Sequence, residues 1–228
     1  GFNPMNEYHR FVRNDGHHAL FQQVTTTYLT NYIRGPKTIC RAGTSSSAEF
    51  EYLRRIIELC HSSGTRLILY IHPNHAHVLE SYRIAGLWPL FEEWKRALVR
   101  VTTTHAAAHP VGSPVELWDF SAYSTITNER VPAAHEKGKT MQWYWEAGHY
   151  KHEVGDLMLA RMLMSGGNGQ SGPLDFGIRL NDQNLDSHLT AIRNARQRYA
   201  DEHANEIATL ETLAQAIKTR LAGKKTTR

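Results

Sequence analysis

Apolar residues recur at helical spacing from residue 50 onward, with Phe50, Leu53, Ile57 and Cys60 on one face. Ser46-Ser47-Ala48-Glu49 precedes them and reads as a capping box, a serine and a glutamate each satisfying a free backbone donor of the first turn. Gly64 sits where that helix should stop. From Arg66 to Ile71 the period changes. This apolar run does not alternate, which suits a strand covered on both faces, as in a parallel sheet. A second helical region starts near His75, breaks at Gly86 and restarts at Pro89, a good first-turn residue, with Leu90, Trp94, Leu98 and Val101 on its apolar side. Pro114 to Phe120 reads as a second strand, a long loop runs to Gln142, and a third helix covers roughly Lys151 to Met164. Helix, strand, helix, strand, helix is the alternation of an α/β fold, and the long crossover predicts that strands 66–72 and 115–120 run parallel.

The flanks read differently. Residues 1–43 form a polar connector with a turn at Asn14-Asp15-Gly16 and one helix from Ala19 to Tyr32. Gly166 to Gly172 has the composition of a flexible linker, extending to residue 180. Residues 181–228 hold a long helix and a basic tail. Leu185, Leu189, Ile192, Tyr199, Leu210 and Ile217 keep helical spacing, so 182–220 should be largely continuous and pack on the domain or on a second copy.

Composition narrows the function classes. With 41% hydrophobic and 21% charged residues the 228-residue chain is globular, and no apolar run approaches the length of a membrane span. The net charge of +4 comes partly from Lys224, Lys225 and Arg228, so no nucleic-acid partner is indicated. Cys40 and Cys60 make neither a disulfide scaffold nor a zinc pattern. The opening GFNPMNEYHRF carries no secretory leader and is turn-rich, which predicts that further sequence lies upstream.

The 14 histidines bring in the chemistry, since imidazole is the commonest general base. In Glu146-Ala147-Gly148-His149 a carboxylate three residues before a histidine can fix its tautomer, leaving the far ring nitrogen to take a proton. Ligands of open α/β sheets sit outside the carboxyl ends of the strands, which makes Asn74, His75 and Asp119 candidates for substrate contact. His72, His75 and His77 lack a neighbouring acid or thiol to complete a metal shell, so no metal and no cofactor is expected. Ser45 or Ser46, after Gly43, offers a nucleophile elbow only behind a very short strand.

Three blocks, RLILYIHPNHAHVLESYRIAGLWPLFEEWKRALV, VELWDFSAYSTITNERVP and MQWYWEAGHYKHEVGDLML, resemble the C-terminal half of bacterial SGNH/GDSL-hydrolase-like proteins related to alginate O-acetyltransferase-type enzymes. The resemblance spans roughly residues 44–200. It implies a flavodoxin-like three-layer parallel sheet, incomplete at the N-terminus, with residues 44–165 as its back half. It implies ester hydrolysis or acyl transfer on a small-molecule or carbohydrate ester in the cell envelope. A membrane anchor would lie upstream. His149 matches the family's histidine base, and Glu146 stands where the family has aspartate. No Gly-x-Ser block follows a strand within residues 1–43, so the nucleophile is expected upstream and these 228 residues alone should be inactive. From a different class, the same fold could serve as a non-catalytic binding protein that oligomerises through its C-terminal helix.

Overall fold

The helical periods in the sequence outweigh its strand-like runs, and the molecule follows the helices. The computed structural model describes residues 4–40, 47–112, 115–163 and 172–226. The first helix, α1 (Pro4–Ile33), is interrupted at Gly16, whose φ of 81° only glycine adopts freely. It is no peripheral connector: Phe21 and Leu29 are buried in the core and His17 beneath Trp145. Helix α2 (Ala48–Ser62) is capped by Ser47, one residue later than the spacing suggested; its Oγ accepts the Phe50 N–H at 3.2 Å. Ser45 and Ser46 lie outside the described residues. Strand β1 (Ile68–Ile71), α3 (Ala76–Ile84), α4 (Trp88–Ala108) and β2 (Glu116–Asp119) follow.

β1 and β2 pair in parallel, Ile68 against Glu116 through Ile71 against Asp119, as the crossover required. Among the described residues the rest of the expected sheet is absent. A flavodoxin-like three-layer parallel sheet is contradicted, because most of the described residues are helical and the sheets are small, of three and two strands. The third strand, β5 (Ile178–Leu180), joins β2 antiparallel. It arises from the segment read as linker, where Phe176 is also buried. Gly177 permits this: a Cβ there would stand 2.1 Å from Phe120 Cε1. The apolar runs misled because, of these two strands, β2 alone is buried along its whole length, whereas Tyr70 of β1 is half-exposed. Successive β2 residues point to opposite sides. Leu117 packs with Leu79, Val99 and Leu189, while Trp118 packs with Phe21, Met158 and Phe176.

The second sheet is a hairpin, β3 (Tyr144–Glu146) and β4 (His149–Tyr150), leading into α5 (His152–Leu163). At the C-terminus the single long helix is two: α6 (Leu185–Glu202) and α7 (Ala204–Thr226), parted at His203. The polar interruptions explain the break, since Glu206 accepts from the rings of both His77 and His203. The apolar seam is buried within this chain. Leu189 and Ile192 join the core under β2, and Ala214 and Ile217 pack on Leu29 of α1. No helix among the described residues is long and apolar enough to cross a membrane.

Candidate functional site

The β3–β4 hairpin brings Glu146 and His149 face to face across a two-residue turn, Ala147-Gly148. His149 Nδ1 is bonded to Glu146 Oε1, and the Gly148 N–H donates to Glu146 Oε2 at 2.7 Å. With Nδ1–H committed to the carboxylate, Nε2 carries the free lone pair. Burial separates the two roles. The Glu146 side chain is 2% exposed, whereas the His149 side chain is 61% exposed. The hydrogen bond to Glu146 raises the His149 pKa above that of an ordinary imidazole, against a smaller opposing effect of burial.

Four contacts fix the hairpin at the carboxyl end of β1. The His75 N–H donates to Ala147 O at 3.0 Å, and the Tyr144 hydroxyl donates to Pro73 O at 2.7 Å. His72 Nε2 contacts Gly148 O at 3.0 Å, and its ring lies 4.9 Å from that of Tyr150. Burial holds His72 below the usual imidazole pKa, so it serves as a neutral donor. Glu129 receives the N–H of Trp143 at 2.8 Å and so holds the start of the hairpin.

Helix α1 closes the site from the other side. The Tyr8 ring stacks on Trp145 at 5.8 Å and tilts against His149 at 5.9 Å. The Tyr28 hydroxyl presses on Gly148, where a Cβ would come within 2.3 Å of it. Burial, and then the Glu146 charge, push both phenols above their ordinary pKa, so each stays a neutral donor beside the carboxylate. Tyr8 and Tyr28 were not singled out in the sequence, and His72 was read there only as part of a histidine cluster weighed for metal. Only the fold brings the first two here, from a segment whose polar pattern gave no sign of it.

The other expected contact residues are engaged elsewhere. Asn74 is half-buried in the turn after β1, its N–H donating to His72 O at 3.0 Å. His75 is fully buried and caps α3: Nδ1 accepts the His77 N–H, and Nε2 donates to Glu129 O at 2.7 Å. Both ring nitrogens are thereby used, and burial pushes its pKa down to about 3. Asp119 is buried against Lys95 Nζ at 2.6 Å and His188 Nε2 at 2.9 Å, and it accepts the Ser121 N–H at 2.8 Å.

Of the histidines at 72–77, none joins a group of three metal-capable side chains. Among the described residues that grouping occurs at Glu58, His105 and His109. A cavity of about 410 Å³ lies between α2 and α4, lined by Glu58, Arg54, Arg100 and His105, and not beside His149. The hairpin therefore presents an oriented base on an open face. No protein-family model, no curated protein and no solved structure matches this chain.

Proposed function

We propose that Glu146 and His149 form the general base of an ester hydrolase or O-acyltransferase acting on a small-molecule or carbohydrate ester. This is the activity implied by the resemblance to SGNH-hydrolase-like proteins; it rests on the chemistry of the pair and not on a parallel-sheet architecture. One observation carries it: a buried carboxylate bonded to Nδ1 of a histidine whose Nε2 faces solvent. His149 takes the proton of an attacking hydroxyl through Nε2 and returns it to the leaving group, while Glu146 fixes the tautomer and stabilises the imidazolium. Among the described residues no hydroxyl is bonded to His149 Nε2. The resemblance then implies an attacking hydroxyl outside the described residues.

The test is acetyl-ester turnover by the full-length protein. His149→Ala should lower kcat/KM by on the order of 10⁴-fold, and Glu146→Gln by roughly 10²–10⁴-fold. Because the base acts unprotonated, kcat/KM should fall as pH drops through the raised His149 pKa, and Glu146→Gln should move that limb to lower pH. Turnover unchanged by His149→Ala would refute the assignment.

A further inference from the structure

Apart from the hairpin, the ends of α2 and α4 converge on a second set of histidines. Glu58 and His61 lie in the last turns of α2, His105 lies in the last turn of α4, and His109 is the residue that caps it. The ligand-capable atoms of Glu58, His105 and His109 all lie within 4.8 Å of one another. His105 Nε2 stands 3.7 Å from Glu58 Oε1, and His109 Nε2 stands 3.8 Å from Glu58 Oε2. The rings of His105 and His109 stack at 4.4 Å. His61 packs on both, its ring 4.3 Å from that of His109.

Three features of this cluster point to a cation. The His105 side chain is 7% exposed, yet its Nε2 has no hydrogen-bond partner and faces the Glu58 carboxylate. A buried polar atom without a partner is unfavourable, and a metal would satisfy it. His109 Nδ1 donates to His105 O at 3.2 Å, leaving its Nε2 lone pair directed at Glu58. Metal-bound histidines are commonly oriented by such a bond from the other ring nitrogen. Two helix C-termini meet here, and the negative ends of their dipoles favour positive charge.

We propose that Glu58, His105 and His109 bind a divalent transition-metal ion, zinc by the character of the donors, with water or His61 as the fourth ligand. Two imidazoles and a carboxylate are a borderline donor set of the kind zinc takes at four-coordinate sites. At zinc bond lengths the donors of a tetrahedron stand about 3.3 Å apart. The observed distances need closing by a fraction of an ångström to ~1.5 Å, within reach of side-chain rotation at the exposed Glu58 and the partly exposed His109. The adjoining cavity leaves the fourth position open to solvent. His105 and His109 stand four apart, but Glu58 comes from a helix distant in the sequence, so no linear spacing displays the whole set. The site is separate from the Glu146–His149 pair and does not depend on its role.

Zinc titrated into the full, chelator-treated chain against a chromophoric competitor tests this. One saturable equivalent per chain is expected, and bound zinc should raise the thermal midpoint. His109→Gln and Glu58→Gln, both at partly exposed positions, should fold normally by circular dichroism. They should weaken binding by at least 10–100-fold, a loss that even outer-shell partners produce. His135→Gln, at an exposed histidine outside the cluster, should bind as the parent does. Cobalt in place of zinc should show the strong visible absorption of a four-coordinate site. Absence of a saturable equivalent, or binding undiminished in both His109→Gln and Glu58→Gln, would overturn the proposal, as would equal loss in His135→Gln.

Discussion

Asp119 and Glu146 both end a strand, both are buried, and each is bonded to a histidine ring. Around Asp119 every group is consumed. Lys95 is fully buried, donates to Asp119 and to Ser121 O, and lies 4.5 Å over the Phe91 ring, while His188 spends its Nε2 on the carboxylate with 11% of its side chain exposed. Around Glu146 the carboxylate is just as fully engaged, but the histidine spends Nδ1 and keeps Nε2 for solvent. The first arrangement joins β2 to α4 and α6; the second offers a proton acceptor. Which ring nitrogen is bonded, and how exposed the other is, distinguishes them. The presence of a carboxylate–histidine pair does not.

The comparison breaks most visibly in stability. Asp119→Ala leaves the Lys95 ammonium buried without its partner, and the cost should be about 3–5 kcal/mol by urea denaturation. Burial pushes the Asp119 carboxyl up, but Lys95 and His188 together hold it below the usual value. Its contribution is therefore present above the unfolded carboxyl's pKa of about 3.9 and lost as pH falls through the lower folded value. The expected outcome is a stability difference between the parent and Asp119→Ala that holds from neutrality down to that range and narrows as pH falls through it.

His149→Ala sits at the other end of the scale. The ring is mostly exposed, so its removal should change stability by no more than about 0.5 kcal/mol. The sign of its pH dependence is reversed. A raised folded pKa favours the fold below the unfolded imidazole's value of about 6.5, and that gain disappears as pH rises through the folded value. A loss of several kcal/mol in His149→Ala would make the hairpin histidine a structural anchor like His188 and erase the contrast.

The sequence displayed one half of this contrast and hid the other. Glu146 and His149 are three residues apart, so a two-residue turn suffices to join them, and their spacing announced the pair. Asp119 was noticed as an acid at a strand end, but its partners Lys95 and His188 come from helices distant in the chain, and nothing local connects them. Likewise β1 and β2 declared their parallel pairing through the long crossover. The whole parallel sheet that the resemblance implies does not follow from that pair, because β5 enters antiparallel through Gly177, whose missing Cβ makes room for Phe120. The largest gap was α1. Its polar pattern concealed Phe21 and Leu29, and with them the approach of Tyr8 and Tyr28 to the candidate site.

Long-range ¹H–¹⁵N correlation across a pH titration reads directly whether Glu146 holds His149 with Nδ1 protonated and Nε2 free. The expected spectrum has the Nδ1–H tautomer for His149 at high pH, with a pKa above that of an ordinary imidazole that drops in Glu146→Gln. An Nε2–H tautomer, or a pKa that Glu146→Gln leaves unmoved, would contradict the claim.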